Sequence, residues 1–260
     1  MKGSRTQKSV TNTVVSFASQ LIVILLGFLS RRVLIYSVGV EYLGINGLMS
    51  NILTIFSLAE SGIGLAIGYA LYKPLAENDI EQVKSLMRFF KYTYRALAIG
   101  TAAIGIAFYP LLPFFLKDNT APDANLVYWL FLLGSVSSYL WVYKTTLNTS
   151  DQNKYLYTIA STIAQIVVLV LKVLILYFVQ NYILYLAVDI GTTIVKNLIF
   201  CRIVDRRYPY LKDKNVRKLD PEVRKSLFTN IKALFLGKVG YIISQCSDNL
   251  VTVSYTHLRA

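Results

Sequence analysis

Apolar residues in this chain are concentrated in long runs rather than in short periodic patches. Each run is about 20 residues long, which is the length an α-helix needs to cross the hydrocarbon core of a bilayer. Charged residues make up 16% of the chain, against about 25% in soluble domains. This pattern predicts an all-α polytopic membrane protein and excludes a soluble enzyme, a disordered tail and a secreted disulfide scaffold. The predicted spans are residues 10–29, 48–71, 96–116, 125–143, 155–179 and 182–201, with a more polar seventh at 227–253.

Lys and Arg are distributed unevenly between the two sides of these spans. Nineteen lie in the N-terminus and in the connections after the second, fourth and sixth spans, whereas three lie in the connections after the first and third. Because basic loops stay on the cytoplasmic side of a membrane, we expect a multi-pass protein of the cytoplasmic membrane with its N-terminus in the cytoplasm. The same distribution accounts for most of the net charge of +13 without a nucleic-acid partner.

Two cytoplasmic connections predict helices of their own. Asp79 or Asn78 is a suitable N-cap, and the following residues place Val83, Leu86, Met87 and Phe90 on one face, with Lys84, Arg88 and Lys91 off it. This pattern predicts an amphipathic helix at the membrane interface. Asp220 followed by Pro221 begins a second such helix, because proline is favoured at the first helical position.

These boundaries predict a four-part organisation. Residues 1–201 form an N-terminal transmembrane lobe of six helices. Residues 202–225 form a basic cytoplasmic linker with a short amphipathic helix, and residues 226–253 form the first helix of a second lobe. Residues 254–260 resemble translated adapter sequence, so we expect a non-native tail and a truncated sequence.

The chain offers no catalytic set. It has no GxxxxGK[ST] loop, no carboxylate cluster of the kind that binds a glycosyltransferase metal, and one histidine, His257, near its C-terminus. We therefore expect no metal site, no cofactor and no enzymatic activity, and transport is favoured over catalysis.

The first span carries a polar stripe and ends in two arginines. Asn12, Ser16, Ser19, Gln20, Gly27 and Ser30 share one side of a helix, which is typical of a surface that faces protein or water. Arg31 lies near the edge of this stripe and Arg32 nearly opposite. Arg31 is the better candidate to bind phosphate in an internal cavity, because guanidinium forms a bidentate and permanently charged contact. The alternative is that both side chains extend to the outer headgroups.

Glu60 lies near the middle of the second span. Gly64 and Gly68 follow it at GxxxG spacing, and Gly62, Ala66 and Ala70 repeat a small residue every four positions, which lets another helix approach closely. Ionisable residues at this depth are costly. Glu60 is therefore a candidate cation or proton site, a partner for an internal arginine, or a hydrogen-bonding residue between helices.

Further ionisable residues occur in the later spans. Lys172 and Asp189 lie seven residues to either side of a short turn, so both are about 10 Å below the outer end of a helical hairpin. We expect them to pair, and a purely structural ion pair is the favoured interpretation. Lys196 is expected to extend to the cytoplasmic end. Lys238 and Asp248, with Gln245 and Asn249, make the seventh span polar enough to line a cavity.

Several segments resemble one family of membrane proteins. They are RVLIY at 32–36, GVEYLGINGL at 39–48, SLAESGIG at 57–64, ALYKPLA at 70–76 and SDNLV at 247–251. The chain resembles the polysaccharide biosynthesis proteins, the Wzx-type oligosaccharide flippases of the multidrug/oligosaccharidyl-lipid/polysaccharide exporter superfamily, over residues 11–251. The motifs between Gly39 and Ala76 are the most specific part of the likeness.

The resemblance implies a two-lobed transporter that flips polyprenyl-diphosphate-linked oligosaccharides across the membrane for surface polysaccharide synthesis. It implies alternating access around a cationic cavity, to which arginines of the first helix contribute; Arg31 and Arg32 occupy a comparable place. A polysaccharide polymerase and glycosyltransferases are the expected protein partners. The alternatives are a multidrug or small-cation exporter of the same superfamily, a membrane enzyme of the same pathway, and a non-transporting membrane subunit. The chain departs from the family by ending one helix into the second lobe.

Overall fold

The computed structural model describes residues 5–56, 58–116, 123–213 and 215–257, and these ranges are helical except for short connections. No strand occurs within them. Two 3₁₀ turns, Tyr109–Leu111 and Pro209–Lys212, accompany the α-helices. In chain order the helices are α1 (Arg5–Val38), α2 (Val40–Phe56), α3 (Leu58–Glu77), α4 (Ile80–Phe108), α5 (Leu112–Phe115), α6 (Ala124–Ser150), α7 (Lys154–Phe178), α8 (Tyr182–Arg207) and α9 (Pro221–His257).

Five helical segments are long and apolar enough to cross a membrane: Thr6–Val38, Ile80–Phe115, Ala124–Ser150, Lys154–Phe178 and Tyr182–Arg207. They coincide with the first, third, fourth, fifth and sixth predicted spans. The chain is thus an all-helical protein of the multi-pass membrane type, and that coarse fold class is confirmed.

The second predicted span, 48–71, lies within α2 and α3, which are the described helices before and after Ser57; Ser57 itself is outside the described residues. Helix α2 begins before the predicted span, at Val40, and α3 continues beyond it to Glu77 with Pro74 inside the helix. Because proline has no N–H, the Ala70 carbonyl lacks its usual partner in the α3 hydrogen-bond ladder.

The segment before the third span, which was predicted to form a helix of its own, is part of one helix with that span. Asp79 caps α4, because its Oδ1 accepts the N–H of Gln82 at 3.0 Å. The predicted apolar face is buried, with exposed fractions of 3% or less, and it packs in a core with α3, α6 and α8. Protein therefore covers a face that was predicted to lie on lipid. Lys84, expected on the polar side, is also buried.

The helices pack in an order that differs from their sequence order. Helix α1 lies against α7, α7 against α8, α8 against α6, and α6 against α4 and α3, while α9 lies against α3. The described core has two clusters, one around Phe90 and Leu147 and the other around Ile45 and Tyr128. Helix α1 is largely exposed, with Phe17 and Phe28 each more than two-thirds accessible, which suits a surface that faces lipid tails.

The small-residue face of α3 permits a close helix crossing, as predicted. A Cβ added at Gly62 would lie 2.9 Å from the backbone nitrogen of Phe235 on α9. One at Gly64 would lie 3.3 Å from the Tyr94 hydroxyl of α4. These glycines are thus required for packing, which confirms the interpretation favoured for them.

Candidate functional site

An ion pair joins α7 and α8 inside the apolar part of the bundle. Lys172 Nζ lies 2.9 Å from Asp189 Oδ1, and the two side chains are 12% and 48% exposed. The predicted pairing across the helical hairpin is confirmed. The ammonium of Lys172 also lies 4.3 Å from the ring centroid of Tyr185, so an aromatic face and a carboxylate both stabilise its charge.

This ion pair lines a polar cavity of about 330 Å³ between α1, α7 and α8, called here the α1–α7–α8 cavity. On α7 the cavity runs from Ser161 to Lys172, about 16 Å along the helix, which is half the thickness of a bilayer core. Its polar lining residues are Ser30, Ser161, Gln165, Lys172, Asp189, Thr192, Thr193 and Lys196. Such a lining is typical of a surface that contacts water or a polar ligand.

Two lining residues describe the chemistry of the cavity. Ser161 lines it, and its hydroxyl is buried without a hydrogen-bond partner among the described residues. Lys196 lines the cavity with its Nζ 5.3 Å from the ring centroid of Tyr157, near the start of α7, and its extension to the cytoplasmic end stays a prediction. Two ammonium groups and one carboxylate therefore make the cavity net cationic.

A second cavity of about 240 Å³ lies on the other side of α8, against α6. Asp189 and Thr193 line both cavities. The carboxylate is thus reached from two sides of α8. The sequence could not predict that Asp189 borders two cavities, because the second cavity depends on how α6 packs against α8.

The polar stripe of α1 faces protein, as expected, at two points. Gly27 and Ser30 border the α1–α7–α8 cavity, and Ser30 Oγ is 3.1 Å from the Tyr185 hydroxyl. Near the other end, Asn12 Oδ1 accepts the N–H of Tyr155 at 2.7 Å and its Nδ2 donates to the Gln152 carbonyl at 2.9 Å. Asn12 therefore attaches α1 to the turn between α6 and α7.

The two arginines of α1 lie outside this lining. Both are exposed, and neither is among the residues that border the α1–α7–α8 cavity. The Arg32 guanidinium lies 5.8 Å from the ring centroid of Tyr36. Arg31 directly follows Ser30, so its backbone is one helical step from a residue that lines the cavity.

Glu60 lies in a different place, among tyrosines of α4 and α6. Its half-buried carboxyl contacts the Tyr139 hydroxyl through a hydrogen bond and lies close to Tyr94. Of the three roles proposed for Glu60, the hydrogen bond between helices is the one this geometry supplies. Glu60 does not border the α1–α7–α8 cavity.

The remaining candidates are on α9. Lys238 is exposed, with its Nζ 5.1 Å from the ring centroid of Tyr241. The side chain of Asp248 lies outside the described residues. Within the part of the chain that the structure describes, no three His, Cys, Asp or Glu side chains come together as metal ligands.

A buried polar network joins the turn between α6 and α7 to the end of α8 and has no counterpart in the sequence-based predictions. The Tyr208 hydroxyl donates to Asp151 Oδ2 at 2.7 Å, Asn153 Nδ2 donates to the same oxygen at 2.6 Å, and Arg207 Nη2 donates to Asn153 Oδ1 at 2.9 Å. Burial and the bond to Asp151 raise the pKa of Tyr208 well above its ordinary value. Burial raises the pKa of Tyr210 to about 12. Both hydroxyls are therefore protonated at neutral pH.

Comparison with known proteins adds nothing to this geometry: no family model, curated protein or solved structure matches the chain. The likeness to the oligosaccharide flippases therefore depends on the sequence motifs alone.

Proposed function

We propose that this chain is the N-terminal part of a two-lobed transporter that flips polyprenyl-diphosphate-linked oligosaccharides across the cytoplasmic membrane. The observation that carries the proposal is the net cationic α1–α7–α8 cavity, which lies between three apolar helices. Ionisable groups in membrane helices are costly and mark substrate or ion pathways. The motifs between Gly39 and Ala76 support the choice of family.

The substrate in this proposal is recognised by its diphosphate. Lys172 and Lys196 supply the positive charge of the cavity. Asp189 neutralises Lys172 while the cavity holds no anion, and a diphosphate competes with this carboxylate for the ammonium. Arg31 and Arg32, near the outer end of α1, add positive charge where the lipid headgroup would leave.

Transport requires that the cavity open to one side of the membrane at a time. In the proposal, the second lobe begins with α9 and rocks against the six-helix lobe, with the N-terminus in the cytoplasm. Surface polysaccharide synthesis then supplies the partners: glycosyltransferases deliver the lipid-linked unit inside, and a polymerase uses it outside.

Export in cells tests the proposal. Lys172→Gln combined with Lys196→Gln, made in the full-length protein, is expected to weaken lipid-diphosphate binding at least about tenfold, because a hydrogen bond to a charged group contributes about 1.5–3 kcal/mol. Export of surface polysaccharide at normal expression falls accordingly, and Arg31→Ala abolishes it. Lys154→Gln removes an exposed charge from the start of α7 and is the matched control. Unchanged export in the double variant would refute the role of the cavity.

The main alternative is an exporter of drugs or small cations. Glu60 and Asp189 are the carboxylates that could bind a cation in such a site. However, Glu60 is hydrogen-bonded to Tyr139, and the charge of Asp189 is neutralised by Lys172. A purified protein that binds a cationic dye and not a lipid diphosphate would favour this alternative.

A further inference from the structure

The segment that connects α8 to α9 is held against the cytoplasmic half of α4. Lys84 Nζ bonds Asp213 Oδ2 at 3.0 Å and also pairs with Glu81. Ser85 Oγ donates to the Arg217 carbonyl at 2.9 Å. The linker is therefore a fixed structural element, and it brings residues near position 217 beside α4.

This contact creates a groove of about 1070 Å³ between α4, the linker and the start of α9, called here the linker groove. Its basic lining residues are Arg88, Arg217, Lys218, Arg224 and Lys225. Asp220 is the one acidic residue in the lining, and its Oδ1 accepts the N–H of Glu222 at 2.9 Å at the start of α9. The positive N-terminal end of the α9 dipole adds to the charge.

Aromatic side chains border the same groove. Phe89 and Phe228 stack edge to face with ring centroids 5.8 Å apart, and the Arg224 guanidinium lies 5.8 Å from the Phe228 centroid. Tyr92 and Phe228 remain 56% and 43% exposed. The groove thus combines clustered positive charge with accessible apolar rings, and α4 continues from it into its apolar half.

We infer that the linker groove binds the headgroup of an anionic phospholipid from the inner leaflet. The basic side chains of the groove pair with the lipid phosphate. The exposed aromatic rings contact the upper part of the acyl chain, as aromatic residues do at other membrane interfaces. A soluble phosphate would bind the same basic side chains, but it has no apolar part that could contact the aromatic rings. The bound lipid holds the linker, and with it α9, against α4. This inference needs only the cytoplasmic position of the linker and is independent of what the protein transports.

Lipid retention by purified full-length protein tests the inference. Native mass spectrometry in detergent, with added phosphatidylglycerol or phosphatidylcholine, measures how much of each lipid stays bound. The variant is Arg217→Gln with Lys218→Gln, and the matched control is Arg202→Gln with Arg206→Gln, two exposed cytoplasmic residues of α8 that do not border the groove. Circular dichroism confirms that each variant is folded.

Wild type and control are expected to retain phosphatidylglycerol in preference to phosphatidylcholine. The groove variant is expected to bind phosphatidylglycerol about 25-fold more weakly, since each basic residue near an anionic surface contributes about 5-fold. Equal losses in the groove variant and the control would overturn the inference. So would displacement of phosphatidylglycerol by millimolar pyrophosphate at constant ionic strength, which would identify a soluble phosphate as the ligand.

Discussion

The ion pair between Lys172 and Asp189 yields the sharpest stability prediction. At 2.9 Å, two unit charges attract by about 6 kcal/mol at an effective dielectric constant of about 20. Lost hydration offsets most of this. Exposed pairs contribute about 0.2–1 kcal/mol, and breaking a fully buried pair costs about 3–5 kcal/mol.

The partial burial of this pair places it between those limits. Lys172 is 12% exposed and Asp189 is 48% exposed, so we expect a coupling energy of about 1–2 kcal/mol. The two single variants differ for the same reason. Asp189→Asn leaves the less accessible charge without a counterion, whereas Lys172→Gln leaves the more accessible one. Asp189→Asn is therefore expected to be the more destabilising.

A double-mutant cycle measures this coupling. Wild type, Asp189→Asn, Lys172→Gln and the double variant are unfolded at equilibrium in mixed micelles, with helix content as the readout. Lys154→Gln, which removes an exposed lysine from the same helix, is the control and is expected to change the free energy of unfolding by less than about 0.5 kcal/mol. Single-variant effects that add within about 0.5 kcal/mol would refute the argument.

Two further predictions concern helix packing and the buried polar network around Tyr208. Gly62→Ala is expected to lower the free energy of unfolding by about 1–3 kcal/mol, because the new Cβ would meet the Phe235 backbone. Thermal unfolding measures the effect, and the control is Gly100→Ala, whose Cβ would have nothing within 4 Å. Equal effects of the two substitutions would contradict the close crossing. Tyr208→Phe is expected to cost about 1–2 kcal/mol at neutral pH through the lost bond to Asp151. Because the pKa of Tyr208 is raised in the folded state, its contribution is complete below about pH 10 and declines as the pH rises further. The stability difference between wild type and Tyr208→Phe should therefore shrink above that pH, and a constant difference would contradict the raised pKa.

Much of the fold follows from local properties of the chain. The lengths of apolar runs predict the five long apolar helices of the described residues, and Asp79 marks the start of α4 because N-capping needs only nearby residues. The meeting of Lys172 with Asp189 follows from their equal distance from one short turn. Gly62 and its small neighbours predict a close crossing, although the helix that crosses there could not be identified in advance.

Other features were decided only when distant segments packed. Lys84 was expected on a polar face, but Asp213, 129 residues away, pairs with it in a buried position. The apolar face of α4 lies in the protein core because α3, α6 and α8 cover it. The spacing of apolar residues along a helix is the same whether lipid or protein covers that face, so the sequence could not distinguish the two.

The sequence by itself determined the helical membrane class, the starts of α4 and α9 and the hairpin ion pair, since these depend on run length, capping chemistry and position relative to a turn. Tertiary structure alone decided which polar residues share a cavity and which cations share a groove. Both depend on which helices become neighbours. Helix α1 packs beside α7, and α4 packs beside the linker. These contacts join segments more than 100 residues apart, and no local pattern in the sequence predicts them.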